Sequence, residues 1–179
     1  MQTKQIDNIF KNLAKIHPRR KTELKYVNHF TFLVSIVLSA QATDISVNKV
    51  TKDLFKIVKT PEEMIGLGEK KLKTYIKSIG LFNSKAKNLI KLSKILKKKY
   101  CNKIPKDFNE LITLPGVGNK TASVFQNVVL NLPRIAVDTH VYRTANRTGM
   151  VQAKTADLTQ LQLEKVVPKK WLLHAHNLL

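Results

Sequence analysis

Between Asp107 and Leu130 two apolar runs are separated by Leu114-Pro115-Gly116-Val117-Gly118-Asn119-Lys120-Thr121-Ala122, and this punctuation restricts the chain more than any other stretch. Pro115 and Gly116 stop the run before them, Gly118 permits a turn closed to bulkier residues, and Asn119 to Leu130 reads as a new helix. With Asp107 to Thr113 as the first helix, preceded by Pro105 and turning Phe108, Leu111 and Ile112 inward, the spacing predicts helix, tight hairpin, helix. The opening turn of a helix carries N–H groups with no intrahelical acceptor, and the helix dipole adds partial positive charge there. Such a hairpin therefore suits a phosphate. Lys120 falls in the same turn. The dipole disfavours a cation there and the basic chain adds like-charge repulsion, so both effects favour the neutral amine, a candidate nucleophile.

Each part also has a plainer reading. Gly-x-Gly between helices is common punctuation, and Lys120 alone reads as a solvated lysine. Asp138, just before the helical stretch Thr139 to Thr148, suits an N-cap. Leu81 after Gly80, and Gln41 after an apolar run, lie at junctions where composition favours a core leucine and a solvated turn residue.

The rest of the chain is helical in pattern, and no strand pattern competes. Ile6, Ile9, Phe10, Leu13 and Ile16 fall at helical spacing; Val47, Val50, Leu54, Ile57 and Val58 make a second stripe; Leu72, Tyr75, Ile76 and Ile79 make a third, closed by Gly80. Thr60-Pro61-Glu62-Glu63 opens a helix with a capping box and proline at the first position. Ser84 to Tyr100 buries Leu89, Leu92, Ile95 and Leu96 and leaves Lys85, Lys87, Lys91, Lys94, Lys97, Lys98 and Lys99 mostly outside, as an ordinary solvated face. Phe30 to Ala40, followed by Gln41-Ala42, imitates a signal-peptide core and cleavage site. The run is too short to span a bilayer and too far from the start, so it reads as a buried helix of a cytoplasmic protein.

A formal charge of +20, from 32 Lys and Arg against 12 Asp and Glu, calls for an anionic partner. Nucleic acid comes first, because neutralising phosphates releases counterions; a membrane surface is disfavoured because the basic residues are spread along the chain. A single cysteine, Cys101, excludes an internal disulfide and suits a reducing compartment. No clustered His, Cys or carboxylate set suggests a metal: His174 and His176 stand two apart on an apparent helix and point in different directions.

Leu38-Ser39-Ala40-Gln41-Ala42-Thr43-Asp44, Ile79-Gly80-Leu81-Phe82-Asn83-Ser84-Lys85-Ala86, the hairpin stretch and Ala136-Val137-Asp138-Thr139-His140 together resemble the helix-hairpin-helix DNA glycosylases, in their endonuclease III family. The resemblance runs nearly from end to end. It implies an all-α, two-domain fold: a central six-helix domain over 22–132, with the helix-hairpin-helix at about 106–131, and a second helical domain from 1–21 plus 133–179, with DNA entering between them. It implies that Lys120 is the Schiff-base lysine and Asp138 the essential carboxylate. Lys120 favours the branch that both excises the base and cleaves the strand, since mismatch relatives typically carry another residue there. Gln41 and Leu81 look like the wedge that fills the gap left by an everted nucleotide, because a stacked base is out of reach of attack at its glycosidic carbon. Gly116, Val117, Gly118, Lys120 and Thr121 would then hold the DNA backbone. His140 reads as a phosphate contact or, equally, as a capping or core residue.

The expected function is base-excision repair of oxidised pyrimidines in double-stranded DNA by a monomer associated with the nucleoid. A non-catalytic DNA clamp, or an inactive truncated copy, is the alternative. Members of the family usually continue into a loop with four cysteines holding a 4Fe-4S cluster, whereas this sequence stops at Leu179 inside an apparent helix from Lys169, with no such ligands. It therefore reads as C-terminally truncated and free of cofactor, with Trp171, Leu172, Ala175 and Leu178 losing part of the surface they pack against.

Overall fold

The computed structural model describes residues 1–16 and 22–179; residues 17–21, which the expected second domain includes, lie outside them. The described residues form eleven helices and no strand: α1 (Thr3–Ile16), α2 (His29–Ser39), α3 (Asp44–Ile57), α4 (Pro61–Ile76), α5 (Phe82–Tyr100), α6 (Phe108–Ile112), α7 (Asn119–Leu130), α8 (Thr139–Arg147), α9 (Ala156–Val166), α10 (Lys169–Leu172) and α11 (Ala175–Leu178). They divide into two compact units, Glu23–Phe125, and Met1–Thr22 with Gln126–Leu179. The division falls inside α7.

The unit Glu23–Phe125 is built on α2, the apolar run with the signal-peptide look. Every residue from Phe30 to Leu38 is buried, as expected of a helix apolar on all sides. Its start is fixed by a capping box in which Thr31 N donates to Asn28 Oδ1 and Asn28 N to Thr31 Oγ1, both at 2.9 Å. Phe32 lies between Tyr26, tilted against it at a ring-centroid distance of 4.6 Å, and Phe125, stacked on it at 6.3 Å. The predicted box at Thr60 and Glu63 opens α4, which Gly68 breaks at φ 75° and ψ 160°. On α5, Leu89, Leu92 and Leu96 are buried and the later lysines stay outside.

Two expected core residues of this unit are exposed. Ile57 ends α3 where the chain leaves helical geometry, and Val58 turns inward in its place. Ile112 ends the short α6, whose buried residue is Leu111.

The second unit gathers α1 and α8 to α11 around Ile6, Phe10, Ile135, Val137, Val141, Leu163 and Trp171. Phe10 stacks on Trp171 with centroids 5.9 Å apart, while Ile16, at the end of α1, is exposed. The expected helix from Lys169 to Leu179 is two short helices separated by Leu173 and His174. Trp171, Leu172, Ala175 and Leu178 are all buried, in the cluster that Ile6 and Phe10 of α1 share with Val141 and Leu163.

Candidate functional site

The hairpin is assembled from local bonds. Asp107 caps α6 by accepting from Glu110 N at 3.1 Å, Leu114 N donates to Leu111 O at 3.1 Å, and Val117 N donates to Leu114 O at 3.0 Å. Leu114 and Val117 are buried and anchor the loop, while Gly116 and Gly118 are exposed. The conformational requirement lies on Gly116, not on Gly118 as the sequence suggested. Gly116 has φ 84°, and a Cβ there would meet Val37 Cγ1 at 3.2 Å and Asn88 Cβ at 3.3 Å. Gly118 lies outside the left-handed region, has open space around it, and starts α7 by accepting from Ala122 N at 2.9 Å. Lys120 is exposed in the first turn of α7, with Thr121 half-buried beside it and Ala122, Ser123 and Phe125 turned into the core.

Gln41 and Leu81 stand on neighbouring turns of the same unit. Both are exposed, Leu81 by 60%, and both hold left-handed backbones, with φ 55° and 59°. The turns are close enough that a Cβ on Gly80 would lie 3.7 Å from Gln41 O. A large apolar side chain held outward on a backbone that only glycine adopts cheaply is a costly arrangement for a core leucine and suits a contact residue. Lys85, expected outside, is 6% exposed, and its Nζ donates to Leu38 O at 2.9 Å. Burial pushes its ammonium below the ordinary lysine range. Lys85 extends the spacing of Leu89, Leu92 and Leu96 one turn back, onto the buried face.

In the other unit Asp138 is the N-cap of α8, its Oδ1 accepting from His140 N at 2.9 Å and Val141 N at 3.0 Å. The plainer reading of Asp138 is therefore physically realised, and it fixes where the carboxylate stands. The lead-in is anchored by burial and hydrogen bonds. Ile135, Ala136 and Val137 are buried, Ile135 N donates to Glu164 Oε1 at 3.1 Å, and Asn127 Nδ2 donates to Arg134 O at 2.8 Å. His140 is exposed on the first turn. Among the described residues no three His, Cys, Asp or Glu side chains are grouped to hold a metal ion, and no helix is long and apolar enough to cross a membrane.

This arrangement of helices and hairpin is shared. Residues 34–169 match the model of the HhH-GPD superfamily base excision DNA repair proteins. The endonuclease III of Rickettsia conorii is 53% identical over 177 residues, which are 99% of this chain and 84% of that protein. The chain belongs to the endonuclease III family. Endonuclease III of Escherichia coli strain K12 is 44% identical over 169 residues, 94% of this chain and 80% of that protein. A solved endonuclease III trapped as a covalent intermediate with DNA superposes with a TM-score of 0.93 at 40% identity, covering 99% of this chain and 84% of that one. A thermostable thymine-DNA glycosylase shares the fold, with a TM-score of 0.78 at 22% identity over 97% of this chain and 81% of that one.

Proposed function

We propose that this member of the endonuclease III family excises oxidised pyrimidines from double-stranded DNA and nicks the abasic site it creates, as a bifunctional DNA N-glycosylase and β-lyase. The observation that carries the reading is the exposed amine of Lys120 in the first turn of α7, directly beyond a hairpin whose tight approach to Val37 and Asn88 fixes it in place. The helix start suits the anionic backbone of a nucleic acid, and the net charge of +20 favours the same partner.

In the proposed chemistry the Lys120 amine attacks C1′ as the damaged base departs with the glycosidic electron pair and a proton. Loss of the amine proton and opening of the sugar ring give an iminium. The iminium acidifies C2′, a base removes that proton, and the 3′ phosphate leaves by β-elimination. Water then hydrolyses the imine and frees the lysine, so one amine serves both steps. Asp138 stabilises positive charge developing on the sugar and assists the lysine's proton transfer. Gln41 and Leu81 fill the space vacated by the everted nucleotide. Gly116, Val117, Gly118 and Thr121 hold the backbone, and His140 contacts phosphate. The site works on damaged duplex as a monomer in the cytoplasm, at the nucleoid.

The residues present do not fit the iron-sulfur cluster usual in the family. The 179 residues include one cysteine, Cys101, exposed beyond the end of α5, and one thiolate does not hold four irons.

A duplex carrying one oxidised pyrimidine tests the proposal. Release of the free base together with a strand ending in the unsaturated aldehyde of β-elimination is expected; binding with neither product would mean a non-catalytic clamp.

A further inference from the structure

Three turns that face outward in the unit Glu23–Phe125 converge on the first half of α5. Leu81 immediately precedes that helix, Asn88 packs under Gly116 of the hairpin, and Lys85 between them reaches the end of α2 beneath the Gln41 turn. The last of these contacts has a specific cause. α2 stops at Ser39, and Ala42 N turns back to Ser39 O at 3.0 Å, so Leu38 O loses the donor that a continuing helix would have given it. Lys85 Nζ supplies that donor at 2.9 Å, and a cation at a helix C-terminus also meets the favourable end of its dipole. The same residue's N–H donates to Leu81 O at 3.0 Å. Lys85 thus holds both turns, one through its side chain and one through its main chain. The bond is to a carbonyl and not to a carboxylate, so ion pairing does not account for a buried lysine here.

We propose that Lys85 is a positioning residue for nucleotide eversion, clamping the Gln41 and Leu81 turns side by side so that both enter the duplex as one wedge. The inference rests on the reading of Gln41 and Leu81 as the wedge. Both backbones are held in the left-handed region, which neither residue type favours, and a tether joining the turns is what such geometry needs to persist when DNA pushes against it. Without the tether the tips remain, but their separation and their angle relax independently.

The test compares two substrates in single-turnover reactions of the full chain. One is a duplex with an oxidised pyrimidine, which must be everted; the other is an abasic site in single-stranded DNA, which need not be. Lys85→Met is expected to slow base release from the duplex at least about tenfold while leaving single-strand cleavage within about twofold, as a displaced wedge would. Lys85→Arg, which keeps a donor, should restore most of the duplex rate. A 2-aminopurine next to the lesion should brighten on mixing with the wild type and brighten less with Lys85→Met.

Gln41→Ala/Leu81→Ala is the control for the wedge itself, and adding Lys85→Met to it should cost nothing further. If that double variant keeps the full duplex rate, the wedge reading fails and takes this inference with it. If it is slow on duplex but Lys85→Met is not, or Lys85→Met loses both substrates equally, the wedge stands and the role of Lys85 is overturned. Should Lys85→Met lack a cooperative melt, Lys85→Gln, polar but one bond too short to keep the contact with Leu38 O, takes its place and is read on the same two substrates against the same criteria.

Discussion

Asp7 and Trp171 lie 164 positions apart in the chain, and the indole Nε1 donates to Asp7 Oδ1 at 2.7 Å. Lys170 Nζ reaches the same oxygen at 2.7 Å and Lys11 Nζ the other at 3.0 Å. The three donors hold the Asp7 carboxyl far below the usual carboxylate range, the Lys170 bond most strongly, followed by those of Trp171 and Lys11. This contact ties the first helix to the end of the chain across the stacked Phe10 and Trp171 rings.

A carboxyl whose folded value is depressed contributes stability that is present above its unfolded value, about 3.9, and lost as pH falls through the folded one. Asp7→Asn should therefore melt at a lower temperature than the wild type throughout the neutral range. The gap should begin to close only below about pH 4. Melting curves from pH 7 to pH 2 check this, and a gap independent of pH would contradict the role given to the charge.

Gly116 and Gly118 should part company. Gly116→Ala forces a left-handed backbone on alanine and drives its Cβ against Val37 and Asn88, so a loss of about 1–3 kcal/mol and weakened DNA binding are expected. Gly118→Ala meets open space and should cost less than about 1 kcal/mol, the difference between glycine and alanine at a helix start. Denaturant unfolding separates the two; equal losses would mean that the turn is not set by Gly116.

Asp138 combines a cap and a charge, and two substitutions divide them. Asp138→Asn keeps an oxygen for His140 N and Val141 N but removes the charge, so stability should change by a few tenths of a kcal/mol while base release falls about a hundredfold or more. Asp138→Ala should lose the same activity and in addition about 1 kcal/mol of stability. Activity retained in Asp138→Asn would leave Asp138 as a cap alone.

The buried ammonium of Lys85 gives a second pH signature. Its folded value is lowered by burial, so as pH rises through that value the native state gives up a proton that the unfolded chain still holds, and stability rises with pH. The stability difference between wild type and Lys85→Met should therefore move in favour of the wild type between neutral pH and about pH 10, near the ordinary lysine value. Urea melts across that range measure it, and a constant difference would contradict the burial.

How much of this was legible varies with how local the cause is. The hairpin, the box at Thr60 and Glu63, and the cap at Asp138 depend on residues within a few positions of one another, and all stand where the sequence put them. Lys85 is hard to read because lysines occupy most of the exposed face of α5, and only its alignment with Leu89, Leu92 and Leu96 marks it as different. Its partner, Leu38 O, is an orphan created by the way α2 ends, which no residue type announces. The choice between Gly116 and Gly118 depends on Val37 and Asn88, far away in sequence. The packing of Trp171 has the same long-range cause, since its stacking partner Phe10 and its hydrogen-bond partner Asp7 both lie on α1.

The central claim, that Lys120 is the nucleophile, is tested most directly by sodium borohydride trapping on duplex containing an oxidised pyrimidine. The wild type should give a covalent protein–DNA adduct, and mass spectrometry of the digested adduct should place the bond on Lys120. Lys120→Ala should give none while retaining most of its DNA affinity, apart from the small loss expected for one phosphate-facing cation. An adduct that survives Lys120→Ala, or a wild type that nicks the strand and is never trapped, would contradict the account.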